Sequence, residues 1–563
     1  MKNLFTYLII LSLSVFAFNA LAQQNDNEKE KIEQAESSSY KTKDKIADQY
    51  KLLTAKGKLD NRDFSGALTL YNEVYTKNQK DGGLNYRIGE CYLGLNNIPE
   101  AVKYFEAAQK INPAKFKDIH LSLGRSYHTY GNIDKALEEY GIYKAKLNAN
   151  QLKNSDVVTF IEQCTLAKEM MANPVDVTIS NMGEEINSVN DDYAPSVAAD
   201  GKTLIFTSRR ADTKGGMIDV EGDYKYFEDI YISTLDEKTG TWNEAEPARG
   251  SLNTEGHDAC LNIAPSGKEI FVYRNNDNTQ SGDIFVSKMS TNGKWGAPKN
   301  IGPAINSSYF ESSASLSADG NTLYFVSERK GGVGNGDIYV IKKINKTEWG
   351  LPQNIGPTIN TIEDEVSCFI HPDGKTLFFS SRGHNTIGGY DIFKSVYENG
   401  QWSVPENIGY PINTVDEDVH FTLSADNKTG YYDTYSLKGM GERDIFKIDL
   451  SRYNIMEKDA RNKKFNPSNI AVLSILKGNI TNANEGQFLD AEVIVTTETG
   501  EEVAKTMSNG ETGEYFFTLP ADKKYMVTIR KEGYNENKEI IGLLSDKNSI
   551  YTQLKSFALE RSK

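Results

Sequence analysis

Residues 311–339 read ESSASLSADGNTLYFVSERKGGVGNGDIY. One alternating stretch runs into Asp319-Gly320, a second runs from Thr322 to Ser327, and Asp337-Ile338-Tyr339 opens a third. Asp-Gly tolerates the positive φ of a tight turn, so the first two stretches read as strands meeting at a hairpin tip. The pattern recurs along the chain. Asp-Ile-aromatic stands at Asp229, Asp283, Asp337, Asp391 and Asp444, at spacings of 54, 54, 54 and 53 residues. The turns recur as Asp200-Gly201, Ser266-Gly267, Asp319-Gly320, Asp373-Gly374 and Asp426-Asn427. A third element, Trp-x-x-Pro-x-Asn-Ile-Gly-x-x-Ile-Asn, begins at Trp295, with further copies from Trp349 and Trp402 and a degenerate one from Trp242. About four strands per unit, repeated radially, predict a β-propeller of five blades, or of six if residues beyond 450 supply a sheet. The Asn181–Asn187 stretch offers an opening strand through which first and last segments can pair. The first unit carries an insertion near Ala211–Phe227, read as a rim loop.

An acidic residue stands five positions after the Ile-Asn of every unit (Leu-Asn in the second): Asp192, Asp258, Glu311, Glu365 and Asp418. Each precedes the innermost strand, so the five are candidates to ring one mouth of the propeller. Like charges that close together cost free energy unless they are solvated, paired or bridged by a cation. Arg209, Arg274, Arg329 and Arg382 follow the second strand of four units and are the expected partners. Two readings stand side by side: hydrogen bonds that tie the blades together, or a ring that docks a cation or a partner. The oxygen-rich loop Asn275–Asn278 lacks the spacing of a calcium loop.

Upstream the period shortens. Gly89-x-x-Tyr92, Ala101, Phe105, Ala108 and Pro113 recur 35 residues later as Gly124-x-x-Tyr127, Ala136 and Tyr140, and Ala55, Ala67 and Tyr71 precede them by 34. Small residues let paired helices approach, and aromatic residues fill the space between pairs. These units resemble the tetratricopeptide repeat, the first with Lys58 where the family prefers an aromatic. A helix around Ser155–Met171 is expected to cap the stack. The resemblance implies a concave groove presenting Lys56, Tyr86, Glu90, Arg125 and His128 to a partner.

The 563 residues carry 63 Lys+Arg against 78 Asp+Glu, a formal charge of −15. That balance opposes neutralisation of a nucleic-acid backbone. Four scattered cysteines give neither a disulfide scaffold nor a zinc site, and six dispersed histidines lack metal-ligand spacing. Residues 1–22 read as a secretory signal peptide, with Lys2, an apolar run from Leu4 to Phe18 and Ala20-Leu21-Ala22 as cleavage site. The expected organisation is a signal peptide (1–22), a flexible spacer (23–46), helical repeats (47–173), propeller (174–450), linker (451–469) and a small β-sandwich (470–563). No transmembrane segment is expected after signal removal. No phosphate-cradling, zincin or nucleophile-elbow motif occurs, so no enzyme, cofactor or metal is expected.

The propeller units resemble the TolB-like repeat, and Gly478–Tyr534 looks like the carboxypeptidase regulatory-like domain, a seven-stranded sandwich. In order, these pieces resemble the PorE-type envelope proteins of Bacteroidota, associated with type IX secretion and gliding, without their lipobox cysteine and OmpA-like domain. The resemblance implies a non-enzymatic scaffold in the periplasm, associated with the outer membrane through protein partners. The alternative is a periplasmic receptor taking a cation, glycan or peptide at the propeller mouth.

Overall fold

The computed structural model describes residues 45–112, 115–219, 225–275, 282–290, 292–345, 348–435, 439–466, 472–546 and 550–562. The leader and most of the spacer, Pro113, residues 276–278 of the oxygen-rich loop and part of the rim insertion lie outside these residues. The chain divides into two compact units at Lys146 and Leu147.

Among the described residues the first unit forms three helical hairpins: α1 (residues 45–60) with α2 (Phe64–Tyr75), α3 (Gly82–Gly94) with α4 (Ile98–Ile111), and α5 (Ile119–Thr129) with α6 (Ile133–Lys146). Each hairpin turns through one left-handed residue, Arg62, Asn96 or Gly131. An oxygen-bearing cap follows: Asp63 accepts from Gly66 N at 2.8 Å, Asn97 from Glu100 N at 3.4 Å and Asn132 from Lys135 N at 3.4 Å. Such caps satisfy amides that a helix start would otherwise leave unbonded. Helix crossings are tight where glycine stands. A Cβ on Gly89 would lie 2.8 Å from the Phe105 ring, and one on Gly124 would lie 2.5 Å from Tyr140. Lys58, in the aromatic's place, pairs with the cap Asp63 at 2.5 Å.

The second unit opens with α7 (Ala149–Lys153) and α8 (Val157–Ala172). The helix expected to cap the repeats thus groups with the β-rich unit, where Gln163 Nε2 donates to Gly388 O at 2.6 Å and Thr386 Oγ1 at 2.8 Å. Five antiparallel sheets follow, their first strands beginning at Asp192, Asp258, Glu311, Glu365 and Asp418. In the third, Glu311–Leu316, Thr322–Ser327, Asp337–Lys342 and the short Gln353–Asn354 pair in sequence order. The first strand of each sheet lies against the first strand of the next, and the fifth lies against the first, so the sheets close a ring. Thr178–Asn181 completes the fifth sheet from the other end of the chain, in register from Thr178↔Asp449 to Asn181↔Phe446.

The repeated residues make these joints. Asn187, Asn253, Asn306, Asn360 and Asn413 each bond both backbone groups of an isoleucine in the preceding sheet (Ile445, Ile230, Ile284, Ile338 and Ile392) at 2.8–3.0 Å. Nearer the centre, serine hydroxyls on one inner strand accept amides from the next: Ser196 from Ile263 at 3.0 Å, Ser313 from Cys368 at 3.2 Å and Ser367 from His420 at 3.3 Å.

After residue 450 the chain forms a strap and then a sandwich. The stretch read as a linker is packed as far as Ala460, because apolar residues are spaced within its polar sequence. Tyr453 and Ile455 are buried, and Lys394 Nζ donates to Ile455 O at 2.9 Å and Glu457 O at 2.7 Å. The sandwich has two four-stranded sheets around Leu476, Ile480, Val493, Phe517, Val527 and Ile529. Its described residues form eight strands where the resemblance implies seven. The last segment breaks into Thr552–Leu554 and Phe557–Leu559, both parallel to Leu473–Asn482, where Lys555 crowds Gly478. The sandwich sits across the hairpin-tip end of the ring. Thr518 Oγ1 donates to Pro372 O at 2.6 Å, Thr506 Oγ1 to Asp319 O at 3.3 Å, and Leu473 and Ile475 cluster with Ala199 and Ala425. No described helix is long and apolar enough to cross a membrane.

Candidate functional site

Of the five residues assigned to the helical groove, Lys56 and Arg125 are exposed. Lys56 pairs with Asp60 one turn along α1 at 2.6 Å. Tyr86 is half-buried: its ring stacks on Phe116 with centroids 4.8 Å apart and meets Phe105 edge-on, and its hydroxyl lies 3.3 Å from Ser122 Oγ. Glu90 lies 3.4 Å from Arg87. Burial raises its carboxyl, against the pull of Arg87, and the charges of Lys56, Asp60 and Asp118 also bear on it. These residues of α1, α3 and the turn before α5 therefore share one surface. His128 does not join them. It is 6% exposed and packs edge-on to Tyr140 with centroids 6.2 Å apart. The reason is periodic: His128 lies one turn beyond Gly124, whose contact with Tyr140 already marks that face of α5 as internal.

The five carboxylates at the inner-strand starts have no solvent exposure. Each folds back on its own turn and accepts the backbone amide of a Ser or Thr four residues earlier. Asp192 takes Ser188 N at 2.5 Å, Asp258 takes Thr254 N at 2.5 Å, Glu311 takes Ser307 N at 3.0 Å, Glu365 takes Thr361 N at 3.0 Å and Asp418 takes Thr414 N at 2.5 Å. The same hydroxyls add a second bond in each case. In this geometry the carboxylates close turns and present no charge to an open mouth.

Their cationic partners differ from the expected set. Arg274 reaches Asp258 at 2.6 Å and Arg329 reaches Glu311 at 3.4 Å. Asp192 is served by Arg210 at 3.2 Å, because Arg209 turns to Glu228 at 2.6 Å, and Arg382 turns to Glu417. Each structural arginine also donates to the carbonyl before the repeated asparagine: Ile186, Leu252 or Ile305. In the fourth sheet His384 Nε2 takes that place on Ile359 O at 2.8 Å. Among the described residues Glu365 and Asp418 thus have no arginine, and burial pushes both carboxyls up to about 7. Burial raises Asp192 as well, against the pull of Arg210.

What reaches the rim is the residue just before each carboxylate: Asp191, His257, Phe310, Asp364 and Glu417. These do not repeat in kind, and a search for repeats passes over them; their variation at a fixed register is the signal that would have found them. His257 bridges Glu228, at 2.9 Å, and Asp219, at 3.3 Å. Burial pushes the Glu228 carboxyl up, yet His257, Arg209 and Tyr193 together hold it at about 2. The hydrogen bond to Glu228 in turn raises His257. Tyr193 then meets the His420 ring at 6.3 Å, and His420 Nδ1 lies 2.8 Å from the buried Asp433, which also accepts Ala194 N at 2.8 Å. Arg443 Nε lies 3.2 Å from Asp433, and its Nη2 lies 3.7 Å from Glu417. The result is a polar network crossing the first, second and fifth sheets, joined by the fourth through Arg382 on Glu417. It can orient a bound polar surface. Among the described residues no group of three or more His, Cys, Asp or Glu is placed to hold a metal. Cys91, Cys164 and Cys368 are buried thiols pushed up to about 12 by that burial, far from a thiolate at neutral pH.

Residues 58–114 match the tetratricopeptide repeat family. Tetratricopeptide repeat protein 21A of Homo sapiens is 46% identical over 70 residues, and that of Mus musculus 44% over 74 residues. These segments are 12% and 13% of this chain, which spans only 5% and 6% of the length of those relatives. The protein contains tetratricopeptide repeats, and such repeats point to protein partners. Solved structures resembling the chain include a luciferin-regenerating enzyme (11% identity, 48% of this chain and 95% of that one, TM-score 0.28) and puromycin hydrolase (11%, 55% and 44%, TM-score 0.27). Hydrazine synthase of Kuenenia stuttgartiensis is similar at 14% identity, 45% and 58% coverage and a TM-score of 0.26. Likeness this distant says nothing about chemistry.

Proposed function

We propose that this protein is a non-enzymatic scaffold of the cell envelope, whose helical repeats hold outer-membrane or periplasmic proteins in the service of type IX secretion or gliding. In this reading the sheet ring is a five-bladed β-propeller that carries the regulatory-like sandwich across one end. The observation that carries the proposal is the surface shared by Lys56, Tyr86 and Glu90, a stacked aromatic pair set among charges on repeats built to bind protein. The periplasmic, outer-membrane-associated location rests on the leader-like residues 1–22 alone. The test is affinity purification of the tagged chain from crosslinked cells, beside variants Tyr86→Ala, Arg125→Glu and a deletion of residues 48–146. Envelope proteins recovered with the intact chain and lost with all three support the reading; recovery indifferent to all three overturns it.

A second reading, a receptor that takes a cation, glycan or peptide at the rim, is favoured by one arrangement. The sandwich covers the hairpin-tip end, so the varied residues Asp191, His257 and Glu417 stand at the other end. A thermal shift on adding an ion or glycan, lost in His257→Ala, supports it, since a ligand that binds the folded state stabilises it by mass action.

A further inference from the structure

A sheet edge exposes backbone N–H and C=O groups that another chain can pair with, and soluble proteins blunt such edges by shortness, proline, bulges or cover. This chain blunts most of its edges in those ways. The first strands of the ring pack on one another. The outermost strands of its first four sheets are two-residue pieces, such as Lys299–Asn300, Gln353–Asn354 and Glu406–Asn407, beside Pro298, Pro352 and Pro405. The fifth sheet ends in the four-residue Thr178–Asn181. In the sandwich, Glu502–Met507 faces a register break between Val495 and Thr496 and is held to the ring by Thr506. Glu514–Pro520 is held there by Thr518, and the last segment is broken at Lys555.

Among the described residues Asn537–Leu543 is the exception. Its seven residues pair one for one with the neighbouring strand, from Lys523↔Leu543 to Ile529↔Asn537, without bulge or proline. Alternate residues of such a strand turn their N–H and C=O away from the neighbour. No hydrogen bond among the described residues closes that side. The main chain itself is open, because Gly542, which is all backbone, is exposed.

The flanking side chains say what pairs here. Ile541 and Leu543 enter the sandwich core, so alternation sets Ile540 and Gly542 on the outer face, where Ile540 is 55% exposed. Beside Gly542 runs the stem of Lys524, its cross-strand partner: a Cβ on Gly542 would lie 4.0 Å from Lys524 Cγ. Lys524 is exposed and has no hydrogen bond or ion pair among the described residues. The carboxylates nearby are engaged: Glu536 holds Arg530 and Lys538, Glu539 holds Lys555, and Asp522 holds the Ser545 hydroxyl.

We propose that Asn537–Leu543 takes an extended segment of a partner protein as the fifth, antiparallel strand of its sheet. A β-branched apolar side chain of that segment lies beside Ile540, and a carboxylate lies opposite Gly542, within reach of Lys524. The occupant is extended because an extended backbone matches the row of free N–H and C=O groups. A second copy fits less well. Two such strands paired antiparallel, outer faces together, bring Lys524 and Lys538 of one copy toward those of the other, and like charges across a strand pair are destabilising. This contact lies on the sandwich and stands or falls separately from the helical repeats.

The experiment is fluorescence anisotropy of the full chain with a labelled Ser-Thr-Glu-Thr-Val-Thr-Ser peptide at low ionic strength. Methylating its backbone amides one at a time should weaken binding at least about fivefold at alternate positions and little between them, because an added strand bonds through one edge. Ile540→Lys in the chain, or Lys for Glu in the peptide, should weaken it at least about threefold. The Lys peptide should bind Lys524→Glu better than it binds the unaltered chain, which shows that the variant is folded and that the edge reads charge. Tyr86→Ala should leave all of these affinities unchanged. No binding up to millimolar protein, or methylation effects without alternation, overturns the proposal. So does a dimer in sedimentation that Ile540→Lys abolishes, since a second copy then holds the edge.

Discussion

Asn360 grips Ile338 with both arms of its amide: Nδ2 donates to Ile338 O at 2.9 Å, and Oδ1 accepts Ile338 N at 2.9 Å. Both residues are buried, and they belong to the joint between the third and fourth sheets. An asparagine amide matches a backbone amide in donor and acceptor, so it completes the ladder where no strand can follow. Asn360→Ala leaves the buried Ile338 N unbonded, at about 1–3 kcal/mol, while Ile338 O keeps Ile355 N at 3.2 Å. A loss of about 1–3 kcal/mol in urea unfolding of the second unit is expected. A loss under ~0.5 kcal/mol, the scale of an unremarkable surface change, would mean that water replaces the clamp.

Glu365 and Asp418 give the second unit a pH dependence of definite sign. Both folded-state values stand near 7, above the ordinary carboxylate range. The folded chain therefore holds protons that the unfolded chain releases between about pH 4 and 7. This stabilisation is complete below about pH 4 and is lost as pH rises through about 7. The double variant Glu365→Gln, Asp418→Asn should lose less stability than the unaltered chain between pH 5 and 8, by on the order of 1–3 kcal/mol. Parallel stability curves for the two proteins would refute it.

Gly124 has no room for a side chain. A Cβ there meets the Tyr140 ring at 2.5 Å, and Tyr140 is itself 1% exposed. Gly124→Ala should cost about 1–3 kcal/mol by overpacking, against a helix-propensity gain of about 1 kcal/mol for alanine over glycine. The check is a helix-monitored melt of residues 45–146 within the full chain. A rise in midpoint would show that propensity wins and that α5 and α6 can separate.

The fold was legible wherever a structural need recurs every 34 or 54 residues. The caps after Arg62 and Asn96, the asparagine clamps and the hairpin tips all repeat because every unit solves the same joint. Regularity alone left two readings of the five carboxylates at the inner-strand starts, a structural tie or a docking ring; in the folded chain each holds its own turn, and all five are buried. Arg209 and Arg210 are adjacent, and sequence cannot say which one turns inward to Asp192. His128 was misread because groove geometry was carried over without asking which face Gly124 had already committed. The strap was hidden by its charge: Tyr453 and Ile455 are two buried residues in a run of polar ones. The rim residues His257 and Glu417 share a register but not a residue type, so only the folded chain brings Glu228 to the one and Arg443 to the other.

The sandwich bears on the ring as a cover, and this can be measured directly. Ala425 is fully buried and Ala199 is 3% exposed; both cluster with Leu473 and Ile475 of the sandwich. The Thr518 hydroxyl reaches Pro372 O in the fourth sheet, and Thr506 reaches Asp319 O in the third. Contacts to the tips of four sheets leave that end without free access. Ending the chain after residue 466 keeps the strap, with Tyr453 and Ile455, on the fourth sheet and removes only the cover. Hydrogen exchange at the tips around Ala199 and Ala425 should then quicken, because tip amides next to a packed surface become solvated. The clamps at Asn360 and Asn413 lie at the opposite end and should keep their protection. If protection at the tips survives the truncation, the sandwich does not shield them and the ring is open at both ends. If protection falls everywhere, the sandwich is part of the ring's own stability, and ligand entry has to be tested in the intact chain only.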